Sequence, residues 1–196
     1  HYIKRGIDII LSGMAIVILS PLLLFLCIAI KLDTPGPILF KQKRVGIHRS
    51  FFQIYKFRTM RIDTPKDVPT HMLENPEQYI TKVGKFLRKT SLDELPQIFN
   101  IFKGEMSIVG PRPALWNQDD LVAEREKYGA NDVTPGLTGW AQINGRDELE
   151  IPDKARLDGE YVKHLGPWMD LKCFLGTIGS VLTVSYTHLT LPTTSR

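Results

Sequence analysis

The sequence predicts an α+β chain that is mostly helical. An N-terminal kinked, re-entrant membrane helix leads into a small domain with amphipathic interfacial helices and a short β-hairpin. Three observations carry this. Residues 9–30 form an apolar run without a single charge. Two short β-prone runs, at 38–40 and 51–55, flank a basic connection. The later stretches alternate apolar and charged residues at helical spacing.

The apolar run comes first. At about 1.5 Å per residue it covers roughly 30 Å, the thickness of a bilayer core. Pro21 sits near its middle, after Ser20. Proline there removes a backbone donor and crowds the carbonyl of Val17, so a kink is expected, and Ser20 can serve the freed groups. Lys4 and Arg5 precede the run; Lys31, Lys41, Lys43 and Arg44 follow it. A simple span would show a Lys/Arg asymmetry between its ends. Cations on both flanks predict that both ends face the same, cytoplasmic, side, so the helix enters one leaflet and returns. This segment is taken as residues 1–33.

The remaining elements follow in order. Thr34-Pro35-Gly36-Pro37 is a turn. Residues 41–50 join the two strands. Residues 61–80 carry Pro65, Pro69 and Pro76 with few apolar residues, which predicts a loop or lid. Helices are expected at 82–89, from 93 to 102, and at 119–128, 154–164 and 170–184. The first of these sets Val83, Phe86 and Leu87 against Lys82, Lys85 and Lys89, a stripe that suits water or anionic lipid. Residues 134–145 are glycine-rich and read as irregular. Asp170 reads as a cap of the last helix. Trp140, Trp168 and Tyr161 read as interface anchors or core, and His48, His71 and His164 as surface residues. The segment from Val184 to Leu189, VSYTHL, resembles the translation of a transposon end used in sequencing-library preparation. Residues 185–196 are therefore left out of the functional reading.

Composition narrows the function classes. Hydrophobic residues make up 43% and charged residues 23%, which excludes a disordered chain. Two cysteines make no disulfide framework, and no Cys/His metal spacing occurs. The net charge of +4 suits a phosphate-bearing ligand or an anionic membrane surface. No basic run is interleaved with aromatics, so nucleic acid is not expected as a partner.

The densest chemistry lies in Arg88-Lys89-Thr90-Ser91-Leu92-Asp93-Glu94-Leu95-Pro96-Gln97. Ser91 and Glu94 have capping-box spacing, which predicts a helix start at this point. Two cations stand next to two carboxylates. Arg112 lies between Pro111 and Pro113, and Lys56-Phe57-Arg58 supplies two more cations after a strand. Held cations around an acidic pair, beside a membrane segment, suit phosphate chemistry at a bilayer surface. A carboxylate at a helix start is expected to stay ionised, because amide donors and nearby cations depress its pKa. Such an Asp93 can attack phosphorus or hold a magnesium ion, and the two roles do not exclude each other.

Several motifs, in order, resemble the monotopic phosphoglycosyl transferases, the bacterial sugar transferase family that starts glycan assembly on a polyprenyl phosphate. They are KRGID at 4–8, Ser20-Pro21, KFRTM at 56–60, SLDELPQ at 91–97, GEMSIVGPRP at 104–113, PGLTGWAQINGR at 135–146, and 158–161. The likeness covers about 4–184, in what resembles the family's small, minimal form. It implies a cytoplasmic catalytic domain at 34–184 on a bacterial inner membrane. It implies transfer of a sugar 1-phosphate from a UDP-sugar to undecaprenyl phosphate, with release of UMP, as a first membrane step of exopolysaccharide, capsule or glycoprotein assembly. Asp93 matches the nucleophile that forms a covalent phosphosugar intermediate, and Glu94 its partner. Arg58, Arg88 and Arg112 match basic positions near the phosphates, with Pro113 beside them. Gln142 and Arg146 fall in the motif on the nucleotide side, and Ser20-Pro21 match the dyad that makes the helix re-entrant. Magnesium is the implied metal, with Asp93 as its contact, and inner-leaflet lipid an implied partner. A single displacement with Asp93 only as metal ligand, and an inactive membrane adaptor of a glycan-assembly complex, are the alternatives. The sugar, the pathway and the oligomeric state, a homodimer included, stay open.

Overall fold

The computed structural model describes residues 2–64, 76–145 and 149–190. The chain divides into two compact units. One comprises Arg5–Lys43 and Gln53–Gly104; the other comprises His1–Lys4, Arg44–Phe52 and Glu105–Arg196.

The first unit is built on helix α1, Tyr2–Asp33, which includes Pro21 and is longer at both ends than the apolar run. Proline leaves the Val17 carbonyl without its usual donor, and the Ser20 hydroxyl donates to it at 2.8 Å. Among the described residues α1 is one helix long and apolar enough to cross a membrane. Its side chains divide by position. Leu23, Leu26 and Ile30 are buried with Phe57, Leu87 and Ile98 in the unit's core. Ile10, Met14, Val17, Ile18, Leu24 and Phe25 are exposed. A water-facing helix does not carry that much apolar surface without an apolar neighbour.

Strands β1, Leu39–Val45, and β2, Phe51–Phe57, pair in a two-stranded sheet, each longer than expected. Helix α2, Lys82–Thr90, starts where Thr81 Oγ1 accepts from the Gly84 amide at 2.9 Å. Asp33 Oδ2 accepts from the Val83 amide at 3.1 Å, so the end of α1 serves the start of α2. Leu87 is fully buried, whereas Phe86, expected on the same face, is 55% exposed. A Cβ on Gly84 would collide with the Thr59 carbonyl, so α2 docks backbone to backbone at that point. Helix α3, Gln97–Lys103, ends at Gly104 with φ 94°. Arg5 Nη1 and Nη2 donate to the Ile101 and Phe102 carbonyls there, at 2.6 and 2.7 Å. Of the expected 61–80 loop, 65–75 lie outside the described residues; a 3₁₀ turn, Pro76–Tyr79, and a Met60–Ile80 bridge close it.

The second unit contains β3, Ser107–Val109; α4, Asp119–Glu126; β4, Gly136–Thr138; α5, Trp140–Ile143; α6, Ile151–Lys163; and α7, Pro167–Thr190. The glycine-rich stretch is therefore ordered: β4 pairs with β3 in parallel, Ser107 with Gly136 and Val109 with Thr138. Backbones touch here. A Cβ on Gly136 would strike the Gly110 amide, and one on Gly139 the Gly110 carbonyl. Val109, Tyr161, Met169 and Cys173 form one core cluster, and Val45, Ala114 and Leu121 another. Burial raises the Cys173 thiol to about 11, so it stays protonated. Asp170 lies in the first turn of α7, yet its carboxylate takes the Lys4 ammonium at 2.6 Å and the Tyr161 hydroxyl at 2.7 Å. Tyr161 and Trp140 join the core of this unit, and Trp168 is 77% exposed. His48 meets Asp132 at the surface; His71 lies outside the described residues. Helix α7 runs through the first residues of the 185–196 tail, and 191–196 lie outside the described residues.

Candidate active site

The acidic pair occupies a 3₁₀ turn, Leu92–Glu94, between α2 and α3. Ser91 was expected to open a helix as the first residue of a capping box. It closes α2 instead. Its backbone is left-handed, φ 56° and ψ 17°, its amide donates to the Leu87 and Arg88 carbonyls, and its side chain caps nothing. Glu94 is correspondingly not spent on a cap. Its Oε1 accepts from Lys56 Nζ at 2.7 Å, with both side chains three-quarters or more out of solvent. An ion pair shielded to this degree is held more firmly than an exposed one.

The electrostatics of Asp93 also differ from the expectation. A depressed pKa follows from a helix start, but the 3₁₀ turn gives little of that. Burial pushes the Asp93 carboxyl above its ordinary value, and the neighbouring Glu94 charge adds to it. Lys56, a backbone hydrogen bond and Arg88 pull the other way without cancelling the rise. Asp93 is thus a half-buried, partly desolvated carboxylate with two cations nearby, a state that favours reactivity over placid solvation.

The basic positions of this unit do different things. Arg88 Nε donates to Thr59 Oγ1 at 2.9 Å, which fixes the plane of its guanidinium. Arg58 is buried, and its Nη1 and Nη2 donate to the Pro35 and Thr34 carbonyls at 2.7 and 2.8 Å. These bonds clamp the turn that follows α1. Asn100, not singled out in the sequence, is fully buried. It accepts from the Tyr55 amide at 3.0 Å and donates to the Gln53 carbonyl at 2.8 Å, which ties α3 to β2. Its signal is faint: a polar residue amid the apolar pattern of QIFNIFK.

Arg112, Pro113 and Gln142 belong to the other unit. Arg112 is half-buried; Pro113 is buried. Arg125 and Asp158 form a buried ion pair at 2.6 Å, and Arg125 Nη2 also donates to the Arg112 carbonyl at 3.0 Å. The charged run at 119–128 hid this, although Leu121 and Arg125 stand one turn apart on the buried side of α4. The amide oxygen and nitrogen of Gln142 are both buried and, among the described residues, meet no hydrogen-bond partner. Arg146 lies outside the described residues.

Among the described residues no group of three or more His, Cys, Asp or Glu side chains could hold a metal. Asp93 and Glu94 remain as a carboxylate pair. That donor set fits magnesium, which takes one or two carboxylates together with substrate phosphate oxygens.

The family model for bacterial sugar transferases matches residues 1–184, and the chain belongs to that family. Relatives agree with this. The UDP-glucose:undecaprenyl-phosphate glucose-1-phosphate transferase of Escherichia coli K12 is 40% identical over 189 residues, covering 90% of this chain and 39% of that protein. A Caulobacter vibrioides protein of the same name is 41% identical over 189 residues, covering 92% of this chain and 70% of its own length. The exopolysaccharide production protein PSS of Rhizobium leguminosarum is 39% identical over 193 residues, 92% of this chain and 96% of that protein. The chain thus spans well under half of the E. coli relative and nearly all of the Rhizobium one.

Proposed function

We propose that this chain transfers a sugar 1-phosphate from a UDP-sugar to undecaprenyl phosphate and releases UMP, through a covalent intermediate on Asp93. The observation that carries the reading is the Leu92–Glu94 turn: a desolvated Asp93 beside a Glu94 already paired with Lys56. The relatives' names supply the substrate class.

In the first step an Asp93 carboxylate oxygen attacks the sugar-bearing phosphorus. The bond from that phosphorus to the bridging oxygen breaks, and UMP leaves with the electron pair. In the second step an oxygen of undecaprenyl phosphate attacks the same phosphorus and the bond to Asp93 breaks, which restores the carboxylate. Lys56 holds the Glu94 side chain, and Glu94 is assigned to proton handling or to the acceptor. Arg88, oriented by Thr59, supplies positive charge for the phosphate oxygens. Arg112 binds the donor diphosphate, next to Pro113. Gln142, whose amide is buried, and Arg146 are assigned to the nucleotide side, Gln142 by shaping it. Arg58 acts by holding the turn after α1. Magnesium, contacted by Asp93, would neutralise charge on the diphosphate.

The apolar exposed face of α1, with cations at both ends, supports insertion into the inner leaflet with both ends cytoplasmic, so that the site meets its lipid acceptor. Ser20 and Pro21 are the residues that bend the helix back.

Intact-protein mass after incubation with UDP-glucose and magnesium, without acceptor, tests the reading. Wild-type protein gains a hexose phosphate and D93N does not. An adduct on D93N, or sequential kinetics in the wild type, returns Asp93 to the role of metal ligand in a single displacement.

A further inference from the structure

The segment that carries Arg112 has an unusual backbone. Proline on each side of Arg112 removes two amide donors, so the stretch depends on its carbonyls for attachment. Four consecutive carbonyls are taken by three segments of the same unit, around Gly136, Arg125 and the end of β1. Pro111 accepts from the Gly136 amide at 2.9 Å, Arg112 from Arg125 Nη2 at 3.0 Å, Pro113 from Arg44 Nη1 at 3.0 Å, and Ala114 from the Val45 amide at 2.9 Å. Two of the four donors are guanidinium groups. Arg125 is itself fixed by Asp158, which is 1% exposed.

Stability alone gives a weak reason for that arrangement. A buried Arg–Asp pair roughly breaks even against apolar residues of the same volume, because desolvation offsets the attraction. An apolar pair, however, has no donor for the Arg112 carbonyl. We propose that Arg125, set by Asp158, and Arg44 are positioning residues that fix Arg112 for the diphosphate of the UDP-sugar. The inference rests on the donor-binding role given to Arg112 above. A planar guanidinium makes a two-pronged phosphate contact only if its backbone is held, since a small misplacement loses the paired geometry.

The test uses the membrane-bound protein with UDP-glucose and undecaprenyl phosphate as probes. R125M/D158L replaces the ion pair by apolar groups and leaves no buried charge. The expected result is a melting temperature within a few degrees of wild type. KM for UDP-glucose rises about tenfold, the scale of one lost charged hydrogen bond, and KM for undecaprenyl phosphate stays unchanged. R44M, which leaves the Arg125–Asp158 pair intact, raises KM for UDP-glucose by a smaller factor. R125K keeps a cation for Asp158 but lacks the fork, and does not restore KM. A folded double variant with wild-type KM for UDP-glucose, or equal rises for both substrates, overturns the inference. If the double variant does not fold, R44M decides, and an unchanged KM overturns it. R112A with wild-type KM instead removes Arg112 from the donor site, while D93N tests the covalent chemistry separately.

Discussion

Lys56 Nζ lies 2.7 Å from Glu94 Oε1, so this cation is bonded to Glu94 and acts on Asp93 through its charge. This fixes the sign of two pH effects. In the proposed mechanism Asp93 attacks as the carboxylate, and burial raises its pKa. The acid limb of adduct formation therefore lies above the ordinary aspartate range. E94Q removes a charge that raises the pKa and moves the limb to lower pH. K56M removes a charge that lowers it and moves the limb to higher pH. Adduct mass at short times, measured between about pH 4 and 8, checks both directions.

Stability and activity are opposed at Asp93. A carboxyl whose folded pKa exceeds its unfolded one binds more protons when folded. Its contribution is present below the unfolded pKa and is lost as pH rises through the folded one. D93N escapes that loss. We expect D93N to melt higher than wild type at pH 7, by about 1.4 kcal/mol for each tenfold difference in ionisation constant. The gap closes near pH 3. Equal melting at both pH values contradicts the desolvation of Asp93.

Gly84 separates local propensity from packing. Alanine is the better helix former by about 1 kcal/mol. In G84A, however, the added methyl meets the Thr59 carbonyl backbone. We expect G84A to lose stability by about 1–3 kcal/mol and to lower adduct formation, because Thr59 also orients Arg88. Urea unfolding alongside adduct mass measures both.

Ser20 and Pro21 form one device. S20A leaves the Val17 carbonyl unpaired only while Pro21 is present. In a double-mutant cycle S20A costs about 0.5–1.5 kcal/mol in the wild-type background and close to nothing with P21A, where an amide returns. Cysteine labelling from each side of the membrane gives the topology. Both ends label from the cytoplasmic side in wild type, and P21A shifts residue 2 toward periplasmic labelling. Periplasmic labelling of residue 2 in wild type contradicts the re-entrant reading.

The elements that were legible in the sequence have a local cause. The apolar run gave α1, the alternation near 82–89 gave α2, and Thr34-Pro35-Gly36-Pro37 marked the turn after α1. What was not legible depends on distant partners. Ser91 and Glu94 fit a capping box by spacing, but the left-handed Ser91 and the ion pair to Lys56 come from tertiary packing. Arg58 sits in a basic motif, and only the fold shows its donors turned to Thr34 and Pro35. Parallel pairing of β3 and β4 leaves no hairpin signature, so a glycine-rich stretch looked irregular.

The pairing of β3 with β4 has a consequence for assembly. Parallel strands cannot be joined by a tight turn, and the whole of α4 lies between these two. The glycine contacts at Gly110, Gly136 and Gly139 therefore form only after an extended stretch of chain has been gathered, with its closure entropy already lost. The segment that bears Arg112 is then among the last to acquire its shape during synthesis. A nascent chain would therefore complete the Leu92–Glu94 turn of the first unit before the segment that bears Arg112 has met its partners on β4.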